Sequence, residues 1–264
     1  MHVIVCIKQV PETGNVRMDE QTGTMIREGV ESIINPLDLY AIELALELRE
    51  AQGGQVTAIS MGPPKADAAI REAMAMGCDK GILVSHRALA GSDTYATSLA
   101  LARAVEKLRP FDIVLAGVRA TDGETGQVGP GVASLLRLPL STYTSRIVEV
   151  ENGRVTVERL VETGYETLRL PLPCLLTVTK EIAYPRLPTL RGKQRARRQQ
   201  VPVWGPVELG LEEDAVGPAG SPTRVVRIAR PNIARKGRRV EIARLGLAKA
   251  ASELADFLEE NNLL

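Results

Sequence analysis

The first 140 residues alternate between short apolar runs and amphipathic segments of helical period, and this alternation constrains the fold more than any other feature. The apolar runs HVIVCIKQ (2–9), QVTAISMG (55–62), KGILVSH (80–86) and FDIVLAGV (111–118) have the length of strands. Strands that alternate with helices predict a mostly parallel, doubly wound, Rossmann-like sheet that is covered on both faces.

The amphipathic segments between these runs carry helix start and stop signals. Asn35 is a predicted N-cap, Pro36 suits the first helical position, and Gly53 ends the same helix. The predicted helices are NPLDLYAIELALELREAQGG (35–54), PKADAAIREAMAMG (64–77, closed by Gly77), SDTYATSLALARAVEKLR (92–109, capped by Ser92 or Asp93) and VGPGVASLLRL (128–138).

Two other stretches predict antiparallel pairing. Residues 15–30 alternate around a Thr-Gly turn and predict a hairpin. Beyond Leu140, alternating strands flank an Asn-Gly turn at 152–153 and predict an antiparallel extension of the main sheet.

Beyond Glu181 the chain changes character. Residues 185–204 are basic, contain three prolines and show little apolar period, so they predict an extended arm. A Pro- and Gly-rich stretch (205–237) and an amphipathic helix (241–262) follow it. We therefore predict an α/β domain over 1–183 and a C-terminal arm over 184–264 that lies on a partner protein, with a disordered tail as the alternative.

The composition argues against several classes of protein. A net charge of +1 and 3% aromatic residues favour neither nucleic-acid nor membrane binding. Cys6, Cys78 and Cys174 match no metal-ligand spacing, and an odd number of separated thiols suggests a reducing, cytoplasmic setting. The N-terminus is not typical of a signal peptide, and no uncharged run of 18 residues predicts a membrane span.

Three loops follow the carboxyl ends of predicted strands, where open parallel sheets bind their ligands. They lie at Cys6–Val10, at Met61–Pro64 and at TDGETGQVGPG (121–131). The third loop leads directly into a helix, whose first N–H groups and positive dipole end suit a phosphate.

The composition of this third loop is consistent with that prediction. Its four glycines (123, 126, 129 and 131) bring backbone close to a ligand, and Thr125 and Gln127 add neutral polar groups. Asp122 and Glu124 would repel a phosphate, so we expect them near ribose hydroxyls or solvent. A capped turn without a ligand is the alternative.

No catalytic constellation accompanies the loops. His2 and His86 lack a Ser or Cys partner, and the chain contains no G-x-S-x-G, no P-loop and no G-x-G-x-x-G after the first strand. We therefore predict no catalytic or metal-ligating side chain. A bound nucleotide would be structural, or a cofactor would supply the chemistry.

The chain resembles the β subunit of electron transfer flavoproteins over nearly its whole length. One departure from the family signature is Thr163, where the family has Gly, Asp or Glu. The resemblance rests on the segments VCIKQVP (5–11), INPLDLYAIELALEL (34–48), SMGPPKADAAIREAMAMGCDKGILV (60–84), AGVRATDGETGQVGP (116–130) and VERLVETGYETLRLPLPCLLT (157–177).

This resemblance implies an adenine nucleotide α-hydrolase-like fold and a heterodimer with an α subunit. FAD would lie mainly on α at the subunit interface, and the β subunit would hold AMP in a non-redox role. The implied AMP contacts are Cys6, Asn35, Pro36, Leu37, Asp38, Met61, Asp122, Gly123, Glu124, Thr125, Gly126, Gln127, Val128, Gly129, Pro130 and Gly131.

The resemblance also implies docking of partner proteins. Electrons would arrive from acyl-CoA-type dehydrogenases and leave to a quinone oxidoreductase. Glu166 would lie at the subunit interface near the flavin. Within a recognition loop at about 184–200, Leu190 would enter a pocket of the partner and a basic rim would speed encounter, the rim being Arg191, Lys193, Arg195, Arg197 and Arg198. The alternative is that this basic segment is simply solvated, or that it binds the α subunit.

Other functions stay open at this stage. SIINP (32–36), the short DGETGQVGP loop, VPVW (201–204) and GSPTRVV (220–226) are similar to an electron-bifurcating branch of the family, which holds a second FAD in place of AMP. A stand-alone, stress-type nucleotide-binding module is a further alternative. An adenylating ligase is a weaker one, because KQVPETGN (8–15) stands where such an enzyme has its phosphate loop.

Overall fold

A computed structural model describes residues 1–12, 17–18, 25–26, 32–226 and 239–263 of the chain. Contacts within the chain divide it into two compact units, Met1–Val226 and Arg227–Leu264.

The strands, in chain order, are β1 (His2–Ile7), β2 (Gln9–Pro11), β3 (Arg17–Met18), β4 (Met25–Ile26), β5 (Ser32–Ile34), β6 (Gln55–Met61), β7 (Lys80–Val84), β8 (Ile113–Gly117), β9 (Leu140–Glu151), β10 (Arg154–Val161), β11 (Gly164–Pro171), β12 (Cys174–Val178) and β13 (Val203–Trp204). The helices are α1 (Pro36–Gln52), α2 (Asp67–Met76), α3 (Thr94–Glu106), α4 (Val128–Leu136), α5 (Leu190–Arg198), α6 (Pro206–Leu209), α7 (Ile242–Leu245) and α8 (Leu247–Glu260), with 3-10 turns at Pro64–Ala66, Arg87–Leu89 and Glu213–Ala215.

One large sheet organises the first unit. Its strand order is β11-β10-β9-β12-β8-β1-β6-β7-β13. Every neighbouring pair from β9 to β13 is parallel, and β10 and β11 add antiparallel strands beyond β9. The predicted parallel sheet with an antiparallel extension is confirmed.

The two faces of this sheet bury separate cores. Val3 and Val5 of β1 pack with α1 and α2, while Ile4 packs with α3 and α4 on the other face. All three side chains are fully buried. Successive residues of a strand point to opposite faces, so an apolar run without polar interruption is what a doubly covered strand requires.

The predicted Asn-Gly turn joins β9 to β10. Asn152 has φ +50° and Gly153 has φ +69°, the left-handed conformations that a two-residue hairpin turn needs. Of the hairpin predicted over 15–30, the described strands β3 and β4 pair antiparallel. Its Thr-Gly turn lies outside the described residues.

The segment after residue 184 packs on the α/β fold as far as Val226. The prediction of an extended arm is wrong over α5, which is helical. Thr189 caps this helix by accepting a hydrogen bond of 2.9 Å from the N–H of Gly192. Ala196 is buried where α5 packs on α2. Packing on the neighbouring helix α2 thus stabilises a segment that has almost no apolar period of its own.

In the second unit, the predicted final helix is divided. Gly246 has φ +80° and separates α7 from α8. That the arm from 184 onwards packs on a partner stays a prediction. No helix in the described ranges is long and apolar enough to cross a membrane.

Candidate functional site

The carboxyl ends of β1 and β8 form a crevice at the point where the sheet changes its direction of winding. The chain builds β6 and β7 on one side of β1, then crosses to build β8 and β12 on the other. Loops diverge at such a switch point and leave space for a ligand. The carboxylate of Asp38, in the first turn of α1, joins the two strand ends. It accepts hydrogen bonds from the N–H of Lys8 at 2.7 Å and of Gly117 at 3.2 Å.

Burial changes the acidity of two groups here. Asp38 is 5% exposed. Burial raises its pKa to about 7, partly offset by hydrogen bonds from Asn35, Lys8 and Gly117. Burial and the nearby Asp38 also raise the pKa of the Cys6 thiol to about 12. Cys6 therefore stays a neutral thiol and is a poor nucleophile.

Asn35 occupies the N-cap position of α1, as predicted, but its side chain makes no capping hydrogen bond. Its Nδ2 donates to the carbonyl of Arg119 at 2.9 Å, and its Oδ1 accepts from the N–H of Thr121 at 3.1 Å. Asn35 is fully buried. Its amide therefore ties the start of α1 to the loop after β8, a long-range role that local sequence does not reveal.

The loop after β8 carries its acidic groups in two different settings. Asp122 accepts a hydrogen bond from Nζ of Lys8 at 2.7 Å across the crevice, and its side chain is 15% exposed. Glu124 has φ +53° and lies 3.9 Å from Nε of Arg119 in an exposed position. The charge of Asp122 is thus offset by a lysine, which reduces the repulsion that we expected for a phosphate.

Three of the four glycines of this loop differ in what surrounds them. A Cβ on Gly123 would meet no atom of the described residues within 4 Å, so among them this backbone is open to a ligand. A Cβ on Gly129 would lie 2.5 Å from Thr177, and one on Gly131 would lie 2.4 Å from Ser98. At Gly129 and Gly131 close packing of α4 already requires the small residue, so packing gives these two glycines a second role, and their role as clearance for a ligand stays a prediction.

Two buried hydroxyl groups at this edge have no partner. Ser60 Oγ and Thr121 Oγ1 make no hydrogen bond among the described residues. Helix α4 begins after Gln127 without a side-chain cap, so its first N–H groups face the loop. Buried unpaired donors and acceptors are rare in folded proteins and mark places where a polar ligand completes the bonding.

Sequence reasoning did not single out Lys8, Ser60 or Thr121 as individual site residues, although Lys8 and Thr121 lie in two of the predicted strand-end loops. A single hydroxyl near the carboxyl end of the apolar run VTAISM, one residue before Met61, was a readable signal for Ser60. Lys8 gave no such signal, because its pairing with Asp122 depends on how β1 and β8 are placed.

A small cavity of about 120 Å³ extends the crevice towards β6. Met61, Lys65 and Asp122 line it together with Lys8. A wider recess of about 790 Å³ lies at the opposite edge of the sheet, around His2 and Asp112. That recess is at the amino ends of the strands, where parallel sheets do not usually place ligands, and it contains none of the predicted nucleotide contacts.

The structure brings together the predicted nucleotide contacts and separates the predicted docking and interface residues from them. Cys6, Asn35–Asp38, Met61 and 122–127 lie around the crevice. Val128–Gly131 form the first turn of α4, directly after the loop. Leu190 and the predicted basic rim all belong to α5, which packs on α2. Glu166 lies on β11, at the far edge of the sheet.

Fold and site together define a doubly wound α/β protein with a polar crevice at its switch point. Comparison with known proteins narrows this class. The family described as "Electron transfer flavoprotein domain" matches residues 22–209. The chain is 45% identical over 265 residues to the "Electron transfer flavoprotein subunit beta" of Thermoanaerobacterium thermosaccharolyticum, covering all of both chains.

Two further relatives carry other names. The chain is 42% identical, over all of both chains, to the "Caffeyl-CoA reductase-Etf complex subunit CarD" of Acetobacterium woodii. It is 44% identical to the "Protein FixA" of Azotobacter vinelandii, over 88% of this chain and 84% of that protein. The chain therefore belongs to the electron transfer flavoprotein family, in its β-subunit branch, rather than to ligases or stand-alone nucleotide-binding modules.

Proposed function

We propose that this chain is the β subunit of a heterodimeric, cytoplasmic electron transfer flavoprotein that binds AMP in the crevice between β1 and β8. The buried, unpaired hydroxyls of Ser60 and Thr121 carry this proposal, because they lie at the carboxyl end of β6 and in the loop after β8, which leads to the uncapped start of α4. The α4 N–H groups and Lys8 suit a phosphate, and the hydroxyls and Asp122 suit a ribose.

Within this proposal, Asp38 and Asn35 shape the site rather than react. Asp38 fixes the ends of β1 and β8, and Asn35 fixes the loop that contacts the nucleotide. FAD, bound mainly by the α subunit, supplies electron-transfer chemistry that side chains of this chain do not. Electrons then pass from acyl-CoA-type dehydrogenases to a quinone oxidoreductase.

Contact with the α subunit involves two surfaces in this proposal. Glu166 is half exposed on β11, 3.9 Å from Nε of Arg159, and that nitrogen is buried without a hydrogen bond among the described residues. Such a loosely paired carboxylate is available to a group of the partner near the flavin. On α8, Leu247, Leu254 and Phe257 are exposed at helical spacing, which suits burial against another chain.

Docking of dehydrogenases is proposed for the arm. Leu190 is 81% exposed, and the side chains of Arg191, Lys193, Arg197 and Arg198 stand in solvent around it. An apolar anchor with a basic rim fits a partner that offers an apolar pocket with acidic surroundings. Arg195 differs from the others, since it donates to the carbonyl of Met74 at 2.9 Å and also holds α5 on α2.

A second candidate places another FAD in the crevice instead of AMP, as in an electron-bifurcating flavoprotein. The 120 Å³ cavity favours it, because Lys8 and Lys65 line space beside the crevice and could offset the charge of a second phosphate. The relative named as a subunit of a caffeyl-CoA reductase-Etf complex also supports keeping this second candidate.

The deciding experiment is to co-express the chain with its α subunit, denature the purified complex and measure the released nucleotides. We expect one AMP and one FAD per αβ pair, whereas two FAD would establish the second candidate. A complex that releases no nucleotide beyond the FAD of α would overturn both. The variant Lys65→Gln sharpens the choice, because it should weaken retention of a second FAD and leave AMP unchanged. Lys80→Gln, at an exposed position at the amino end of β7, is the control.

A further inference from the structure

Arg186 differs from the other basic residues of the arm, because its guanidinium is turned inward. Its Nε lies 3.0 Å from both carboxylate oxygens of Glu43, and Nη2 lies 2.8 Å from Oε1. The backbone N–H of Arg186 also donates to Oε2 of Glu43 at 2.9 Å. Glu43 is only 4% exposed, so its charge depends on this partner.

A second carboxylate completes the arrangement. Glu50 accepts from Nη1 of Arg186 at 2.5 Å and from Nη2 at 3.1 Å. Glu43 and Glu50 lie two turns apart on α1, so one planar guanidinium spans both. This forked geometry orients the arginine as well as attracting it, which a lysine cannot reproduce.

Three side chains near Arg186 stand in solvent, whereas Pro185 and Pro188 are half-buried. Tyr184, Leu187 and Leu190 are 91%, 85% and 81% exposed. Further along the chain, α5 packs on α2, and Nη1 of Arg71 donates to the carbonyl of Ala196 at 2.6 Å. The ion pairs of Arg186 with α1 and the packing of α5 on α2 therefore fix the two ends of the segment that presents Leu187 and Leu190 to solvent.

We propose that Arg186 is a positioning residue for docking: held by Glu43 and Glu50, it sets the orientation in which Leu187 and Leu190 meet a partner dehydrogenase. The inference rests on the docking function proposed above. It adds that affinity for the partner depends on an ion-pair network that the partner does not touch. A segment fixed before encounter loses less conformational entropy on binding.

The test uses the αβ complex, with an acyl-CoA dehydrogenase of the same organism as electron donor. Arg186→Lys keeps the positive charge and the trypsin cleavage site but cannot make the paired hydrogen bonds of a guanidinium. Glu50→Gln removes the charge of one of the two carboxylates, at an exposed position. We expect KM for the αβ complex to rise about tenfold in Arg186→Lys and about threefold in Glu50→Gln, with kcat unchanged. The matched control is Glu47→Gln, an exposed carboxylate on the same helix that interacts with Arg186 through its charge but makes no hydrogen bond to it. It separates loss of a nearby charge from loss of the hydrogen-bonded pair, and it should leave KM unchanged.

Two measurements separate positioning from general stability. Native-state trypsin cleavage within α5 should accelerate in Arg186→Lys and not in Glu47→Gln, while flavin and nucleotide content stay as in the wild type. The double variant Arg186→Met/Glu43→Met replaces the buried pair by apolar groups and so preserves folding. It should show the same rise in KM without a lower melting temperature.

The outcomes are distinguishable from failure of the docking function. If Leu190→Ala raises KM but Arg186→Lys and the double variant do not, the positioning role is overturned and docking survives. If Leu190→Ala also leaves KM unchanged, docking itself fails. Loss of the αβ complex or its nucleotide in Arg186→Lys would make Arg186 a structural residue and overturn the proposal.

Discussion

The crevice and the arm both use α1, but they hold their polar groups in opposite ways. At the start of α1, Asp38 and Asn35 are buried and their hydrogen bonds join elements far apart in the chain. In the middle of α1, Glu43 holds an arginine whose neighbours Leu187 and Leu190 stand in solvent. From this difference we expect substitutions at the buried groups of the crevice to alter folding and substitutions at the exposed leucines to alter only binding.

The largest expected effect lies in the crevice and depends on pH. The pKa of Asp38 is about 7 in the folded protein against 3.8 as its ordinary value. The folded state therefore binds the proton of Asp38 more tightly than the unfolded state does. The contribution of Asp38 to stability is fully present below pH 3.8 and is lost as pH rises through 7. This group should lower the free energy of unfolding by on the order of 4 kcal/mol across that window.

Urea unfolding of the nucleotide-free protein between pH 4 and 8 measures this contribution, and Asp38→Asn is the control without a titrating group. The difference between wild type and variant should change with pH in the stated direction. A constant difference would show that Asp38 does not titrate near neutrality.

The next effect compares two glycines a few residues apart. In Gly117→Ala the new Cβ would lie 2.5 Å from Oδ1 of Asp38 and 2.8 Å from the carbonyl carbon of Leu37. We expect a loss of about 2–3 kcal/mol of stability, because packed backbone must move. In Gly123→Ala the new methyl group meets none of the described residues within 4 Å, so stability should change by less than about 0.5 kcal/mol.

Denaturant unfolding together with AMP affinity would separate these two variants. Gly123→Ala should weaken AMP binding while leaving the unfolding midpoint in place. Equal destabilisation by both variants would contradict the distinction between a packed and an open side of this crevice.

On the arm, Leu190→Ala should alter docking and not folding. Its side chain is 81% exposed, so truncation removes little buried surface from the isolated subunit. If it fills a pocket of the dehydrogenase, its loss should raise KM about tenfold, which corresponds to about 1.4 kcal/mol. Val207→Ala is a matched control at 86% exposure, and its KM should be unchanged. A lower melting temperature in Leu190→Ala would assign the leucine to the fold instead.

The smallest effect is expected from the basic rim. Arg197→Gln/Arg198→Gln should slow association with an acidic partner about threefold at low salt, with the difference vanishing near 0.5 M salt. Stability should stay within about 0.5 kcal/mol of the wild type, since both side chains are exposed. Stopped-flow electron transfer at several ionic strengths would measure it, and a salt-independent difference would remove the electrostatic explanation.

Local patterns sufficed wherever one segment decides its own structure. The unbroken apolar run of β1 predicted a strand covered on both faces, and Asn152-Gly153 predicted a hairpin turn. The loop from Thr121 to Gly131 was identified because glycine, small polar residues and a following helix coincide in the sequence. Helix α5 was missed, because its stability comes from packing on α2 rather than from an apolar period.

The sequence by itself determined that strands and helices alternate, where the turns fall, and that strand-end loops carry polar and glycine residues. The tertiary structure alone decided that Asn35 reaches the loop after β8, that Lys8 pairs with Asp122, and that Arg186 turns inward to Glu43. The physical reason is distance along the chain. Periodicity and turn chemistry act over a few residues, whereas these contacts join groups separated by 84, 114 and 143 positions.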